Sequence, residues 1–360
     1  MRRIAAVSFA LIVAPIVGAL IPNAKGLAQS DATAETRQAF SPLVPLNLVP
    51  ADRDASAHRS AFRYHILRTR TEAARSADLN GAEPPRPESG ATGSRIGIPA
   101  LAVVPKPGFY PADVTKLNPY GAVITSAVFD NVYVACADGS CWGNPTRFQA
   151  DLLRSEFIHL VDQYVASRAN KRYGLGPEFT APVSSCTSPS FCSVDDIHAI
   201  VHAVATSQGG GNGYSHVINV FLPQGVDTCM DTAKTSCYSP DTPSTDIFCA
   251  YHGSTVFPDI GETVFTVEPY QDVQNCSIGT PSPNGELADS TNATLSHETF
   301  ETITDPDTDC WEAINSVNEA GSEIADECES SIFPTIVINR RSYVVGLEYS
   351  NKYHACASVP

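Results

Sequence analysis

The chain has 360 residues, 43% of them hydrophobic, and a formal net charge of −16 from 39 Asp and Glu against 23 Lys and Arg. That length can bury a full core as one large domain or two smaller ones. The excess of acid argues against nucleic acid or an anionic membrane surface as a partner, and favours solubility and cation binding.

The chain opens Met1-Arg2-Arg3 and continues as an apolar run from Ile4 to Ile21, ending near Gly26-Leu27-Ala28. A charged start, an apolar centre and small residues before a cut after Ala28 describe a secretory signal peptide over residues 1–28. The run is also long enough to act as an uncleaved membrane anchor. Once the signal is cleaved no membrane attachment is expected, and the mature protein is secreted, extracellular or periplasmic.

All 11 cysteines lie beyond this segment, so in an exported protein disulfides are their default state. Cys136/Cys141, Cys186/Cys192 and Cys229/Cys237 can each staple a short loop, and Cys328/Cys356 would close the C-terminal end. Cys249/Cys276 is the remaining plausible pair, which leaves Cys310 as the odd thiol. A cysteine–zinc cluster would compete with this reading, but the chain has no C-x-x-C pair.

Residues 29–95 are rich in Ala, Pro, Ser and Arg and end in Pro84-Pro85-Arg86-Pro87-Glu88-Ser89-Gly90. Their apolar residues are sparse, apart from a possible short helix around Ala57 to Ala77. The segment is therefore expected to be disordered and to serve as a linker or propeptide. Residues 1–95 together carry 12 Lys and Arg against 8 Asp and Glu, leaving 11 against 31 on the remaining 265 residues.

Apolar density rises at Ile96, where a domain spanning residues 96–360 is expected to begin. Gly121 to Asp130 and Asn131 to Ala135 look like strands. From Pro145 to Arg168, apolar residues recur at three- and four-residue spacing and predict one helix. Ser193 to Ser207 predicts a second, capped by Ser193 with Asp195 and Asp196 in its first turn. His198 and His202 stand four apart on it, but they alternate with its core face and are expected to be surface or half-buried rather than metal ligands. Gly209 to Gly213 lacks the context of a phosphate loop and is a connector. His216 to Pro223, Asp246 to His252 and Thr263 to Glu268 are further strands, with a cysteine-bearing surface loop over 224–245. Together these elements predict an α/β (α+β) domain with a mixed sheet.

Asp289, Ser290 or Asn292 can cap a helix that stops before Pro306 and carries His297, Glu298 and Glu301 as H-E-x-x-E. The pattern resembles the zinc-protease H-E-x-x-H helix with its second histidine replaced. Residues 297 and 301 stand one turn apart and reach a single cation from one face. Glu298 lies about 100° round the helix, where a general base for water belongs. Glu323 follows Glu301 by 22 residues, similar to the distance at which thermolysin-like enzymes supply a third ligand from the next helix. Asp326, one turn later, can orient the His297 ring. The expected metal set is therefore His297, Glu301, Glu323 and Asp326, with Glu298 as the catalytic base.

Ser296-His-Glu-x-x-Glu301, Thr304-Asp-Pro306, Glu323-Ile-x-Asp-x-Cys328 and Tyr349-Ser-Asn351 with Cys356 together resemble the EXORDIUM or phosphate-induced family of secreted proteins and its bacterial relatives. The resemblance extends more weakly back to Gly121 and does not cover residues 1–95. It implies a zincin-like domain with a metal site and supports that site better than any one reaction, since the plant members are associated with extracellular growth control. The chain departs from the pattern at Asp309-Cys310-Trp311, where relatives tend to have a Gly-Trp-Tyr-like segment.

Zn2+ is the expected cofactor for hydrolysis, with Ca2+ or Mn2+ as alternatives for so oxygen-rich a set. His252, Tyr251 or Tyr349 could donate to an oxyanion. A carboxylate at 301 makes the metal a weaker Lewis acid than a second imidazole would. Two functions follow: a zinc peptidase-like hydrolase of peptides or extracellular proteins, or a non-catalytic, metal-stabilised binding or signalling protein. Asp305, Asp307 and Asp309 resemble the start of a calcium loop, although Cys310 stands where its glycine belongs.

Overall fold

The computed structural model describes residues 43–46, 63–69, 103–104, 113–210, 213–279, 282–313, 323–329 and 333–360. The expected signal segment 1–28 lies outside them. Among the described residues seven strands form the main sheet: β1 Val44–Pro45, β2 Arg63–Arg68, β3 Ala127–Val134, β4 Tyr173–Ala181, β5 Gly213–Phe221, β6 Phe248–Phe257 and β7 Gly261–Glu268. Their spatial order is β1-β4-β3-β5-β7-β6-β2. Strands β1, β4, β3, β5 and β7 run parallel, and β6 is antiparallel to β7 on one side and to β2 on the other. The sheet is thus mixed, as expected of this α/β chain.

Side chains alternate across each strand and build a core on both faces. On one face Val132, Ile218, Val220, Phe265 and Val267 pack with Ile197, Ile200, Val201 and Val204 of helix α3, Val194–Ser207. On the other, Phe129, Tyr133, Val217, Phe221 and Val264 pack with Leu295, Phe300 and Ile303 of helix α4, Glu286–Thr304, and with helix α1, Pro145–Leu152. The α3 start is as the sequence indicates: the Ser193 hydroxyl accepts from Asp196 N–H at 3.2 Å, and the Asp196 carboxylate accepts from Ser193 N–H at 2.9 Å.

Several expected elements are different. The helix expected over Pro145–Arg168 stops at Leu152 and resumes as a 3-10 turn at Phe157–Val161 and a short helix α2 at Asp162–Val165. Ser155 breaks it, its hydroxyl donating to Leu152 C=O at 2.7 Å and accepting from Ile158 N–H at 3.2 Å, so a side chain competes with the backbone ladder. The apolar stripe stays inward all the same.

The two strands expected over 121–135 are one, β3, because Asp130 and Asn131 do not turn the chain. They bond sideways, Asp130 to His216 at 2.7 Å and Asn131 to Asn219 at 2.8 Å. The sequence reading missed β4, whose Gly174, Gly176 and Pro177 mask a strand. Gly176 is required there, since a β-carbon would lie 1.8 Å from the Asp130 carboxylate.

The helix expected within 57–77 is contradicted over the described residues 63–69, where the chain is strand β2, seated on the edge of β6. Part of the 29–95 segment therefore belongs to the sheet, and Ser41–Pro360 forms one compact unit.

All five expected disulfides are present: Cys136–Cys141, Cys186–Cys192, Cys229–Cys237, Cys249–Cys276 and Cys328–Cys356, with Cys310 free and buried. They fit an oxidising, extracellular type of environment. Among the described residues no helix is long and apolar enough to cross a membrane.

Candidate metal centre

Helix α4 is polar along most of its length, yet every residue from Ala288 to Thr304 is buried. It begins one turn earlier than the expected caps, behind Gly285 at φ 93°. Glu286 then accepts from Gly279 N–H at 2.6 Å, and Asp289 from Asn284 N–H at 2.8 Å. Phe300 packs on Phe157 at a ring separation of 4.5 Å and fixes the rotation of the helix. His297, Glu298 and Glu301 consequently face β6 and the 323–329 segment rather than solvent.

Glu323 does not lie on a second helix, as the spacing implied, but in a turn before the 3-10 segment Asp326–Cys328. Three tethers hold this turn, one to α4 and two to the C-terminal strands Glu348–Ser350 and Ala355–Ala357. Ala325 and Asp326 N–H donate to Glu301 Oε1 at 3.2 and 3.1 Å, Tyr349 N–H donates to Ile324 C=O at 2.7 Å, and Cys328 is bonded to Cys356. The family-like pieces around 301, 323–328, 349 and 356 thus converge on one place.

The expected ligands form two groups that share one carboxylate. His297, Glu301 and Asp326 make the first, with His297 Nε2 3.0 Å from Glu301 Oε2 and 3.5 Å from Asp326 Oδ1. Glu301 and Glu323 belong to the second, together with His252 of β6 and His65 of β2. Sequence reasoning cast His252 as an oxyanion donor and placed His65 in a linker. Their signal is a cross-strand pair, His252 opposite His65, and that register cannot be seen until the sheet is assembled.

Tyr251 and Tyr349 are not oxyanion donors here. Tyr251 points to the α3 face, against Phe248 and Phe265, and Tyr349 Oη donates to Asp113 at 3.3 Å. His198 and His202 also stay outside the centre, the first edge-on to Phe257 and Phe265, the second 2.8 Å from Asp259. Nor do Asp305, Asp307 and Asp309 converge as a calcium loop would. Asp305 accepts from Asp309 and Cys310 N–H, Asp307 from Ser254 and Tyr214 hydroxyls, and Asp309 from Arg63 and Asn118.

Electrostatics decide what these groups lack. Glu301 and Glu323 are fully buried; Asp326 Oδ1 and both Glu323 oxygens have no hydrogen-bond partner, and Glu301 Oε2 and His297 Nε2 have only each other, at 3.0 Å. Burying an unpaired carboxylate costs several kcal/mol, on the order of a whole domain's stability when repeated. Burial, reinforced by Asp305 and Glu301, pushes Glu323 well above the usual carboxylate range. Burial also lifts Glu298 well above it, with Glu268 and Glu301 adding to the shift against His297. Glu268 rises to about 8, again by burial.

His252 is pushed down to about 3 by burial, so it is neutral. Its Nε2 lies 3.2 Å from Asp305 C=O and its Nδ1 3.2 Å from Glu298 Oε2, as a neutral ring bonded to a protonated Glu298 requires. For His297 burial works the other way, but the Glu301 carboxylate raises it well above its ordinary value, and Glu301 is held low by the same contact. One proton bridges that pair, and a cation would replace it.

The donor set fits a divalent cation. Nitrogen and oxygen atoms converge in a buried place, several lack protein partners, and carboxylates supply the charge. A cleft of about 600 Å³ lined by Asn144, Arg147, Asn284, Asn292 and Arg341 lies at the other end of α4 and is not the approach to this centre.

Comparison of the chain with protein-family profiles, curated proteins and solved structures returned no match.

Proposed function

We propose that the protein is a secreted metal-dependent hydrolase of zinc-peptidase type, a bacterial-type relative of the EXORDIUM-like proteins with a zincin-like site. The observation that carries this reading is the convergence of His297, Glu301 and Asp326 with Glu298 beside them on α4. Three protein ligands leave a position open, which suits catalytic zinc, while the oxygen-rich set also admits manganese or calcium. When bound, such an ion supplies Lewis acidity and makes water a nucleophile near neutral pH.

The chain's own residues do the rest. Glu298 is the proton acceptor, held by His252 at 3.2 Å. A nearby positive charge brings its raised pKa back toward the operating range. Glu301 contributes negative charge and lowers the ion's acidity, so turnover is expected to be slow. With β2 released, the edge of β6 would offer unpaired backbone groups to an extended chain, which favours a peptide or extracellular protein as substrate. Strand β2 occupies that edge in the described form.

Glu298→Gln is expected to lower peptide hydrolysis by about 10²–10⁴-fold with zinc content unchanged. Equal turnover by the variant sinks the assignment. One observation favours a second reading, a non-catalytic metal-stabilised extracellular binding protein: the ligand group completed by His65 is closed on all four corners. Zinc-loaded protein that is stabilised yet inert on peptides after release of β2 would establish it instead.

A further inference from the structure

Strand β2 is joined to β6 by more than backbone pairing. His65 stands opposite His252, and its neighbour Tyr64 stands opposite Gly253. Gly253 lets the two strands close, because a β-carbon there would meet Arg63 C=O at 2.0 Å. The His65 ring is thereby placed over the acids of α4 and the 323–329 turn. Its Nδ1 lies 3.7 Å from both Glu301 Oε2 and Glu323 Oε1, and the His252 ring borders the same acids, Nδ1 3.8 Å from Glu301 Oε2 and Nε2 3.6 Å from Glu323 Oε1.

Zinc with nitrogen and oxygen ligands at about 2.0–2.1 Å needs ligands about 3.4 Å apart in a tetrahedron; the two His65 contacts are a few tenths of an ångström from that, and one ligand atom from each of the four residues lies within 4.8 Å of the others. The other nitrogen of His65, Nε2, lies 3.2 Å from Asp326 Oδ2. A ring that faces a metal site with one nitrogen and a carboxylate with the other has the orientation found in metal-ligating histidines. Both oxygens of the fully buried Glu323 lack a hydrogen bond, and Oε1 faces His65 and His252.

We propose that His65, His252, Glu301 and Glu323 hold a second divalent cation, bridged through Glu301 to the first, which pins strand β2 to the edge of β6. The bridge rests on the reading of His297, Glu301 and Asp326 as the first centre. Two ions that share one carboxylate oxygen stand about 3.5–4 Å apart, the usual spacing of two-metal sites. Charge is compatible with the count: Glu301, Glu323 and Asp326 carry three negative charges when ionised, more than one dication neutralises. The four-ligand group is closed, as structural zinc sites are, and the three-ligand group is open. The second ion therefore fastens the N-terminal strand, and losing it frees the β6 edge.

The test is zinc per chain on the full-length protein, stripped with chelator, refilled with Zn2+ and desalted. Two zinc ions are expected in the parent and one in His65→Ala, with two restored in His65→Cys, whose thiolate can replace the imidazole. Gly253→Val, which expels β2 with His65 intact, is expected to bind one. His297→Ala is expected to lose the other ion, so the two sites fail separately. If His297→Ala changes nothing while His65→Ala still removes one ion, the first centre and the bridge are overturned and the second site stands.

One zinc in the parent, or the same count in parent and His65→Ala, overturns the proposal. A protease site placed between Pro87 and Glu88 supplies a second readout. After cleavage, the N-terminal piece should elute with the domain in zinc and separate from it in chelator. Retention in chelator contradicts the pin.

Discussion

Glu323→Gln separates a metal centre from a buried ion-pair network by the condition in which it does harm. The parent carboxyl is fully buried, neither oxygen is hydrogen-bonded, and its pKa lies well above the usual range. Without metal, burial therefore favours its neutral form, of which glutamine is nearly an isostere. The expected change in chelator is within about 1 kcal/mol, as for a swap that removes no satisfied contact. With zinc the variant lacks a ligand.

A 10–100-fold loss of affinity, the least expected when a residue around a metal is altered, corresponds to about 1.4–2.7 kcal/mol. At about 2–4 °C per kcal/mol, the zinc-dependent rise in melting temperature should shrink by about 3–10 °C. Thermal unfolding followed by circular dichroism, with chelator and with saturating zinc, reads both numbers. An equal loss under the two conditions would refute the reasoning, because it would mean that protein groups and not a cation stabilise Glu323.

Two further outcomes follow from the same burial. Glu268 and Glu329 are both raised to about 8, chiefly by burial, above an ordinary value of 4.5. Groups raised in the fold contribute stability below the unfolded pKa and lose that contribution as pH climbs through about 8. Chelated protein should thus melt lower at pH 8 than at pH 5, while zinc affinity rises over the same window because binding expels protons. Melting curves at the two pH values check both, and a chelated protein that is more stable at pH 8 contradicts the assignment. Replacing Cys328 and Cys356 by serine opens a loop with a sequence separation of 28. Loop-closure entropy puts the cost at about 3–4 kcal/mol. Because Cys328 anchors the Asp326 turn, zinc affinity should fall at least tenfold as well, measured by competition with a chromophoric chelator.

How much of this was legible in the sequence depends on whether the signal was local. The capped start of α3 was written within four residues, Ser193 to Asp196, and the five disulfides are the pairs that cysteine spacing made plausible. His297, Glu301, Glu323 and Asp326 were found by helix spacing and a resemblance, and the structure does bring them together. It divides them differently, because the turn carrying Glu323 and Asp326 is fixed by backbone donors to Glu301 Oε1, which no spacing encodes. His252 was assigned a different role, since its facing residue depends on register. His65 was missed because it lies in a Pro- and Ala-rich stretch with little apolar period, where edge pairing supplies what the local sequence lacks. Ser155 shows the converse: a helical stripe of apolar residues survives a break in the helix, because burial needs only that each piece face inward.

The account's central claim is that a cation belongs among His297, Glu301 and Asp326. Its most direct test is the metal content and X-ray absorption of the full-length chain purified from a secreting host without added metal. The claim calls for bound metal with nitrogen and oxygen donors at about 2.0–2.1 Å, lost in Glu301→Ala. A chain that carries no metal, takes up none and melts identically in chelator and in zinc would contradict it.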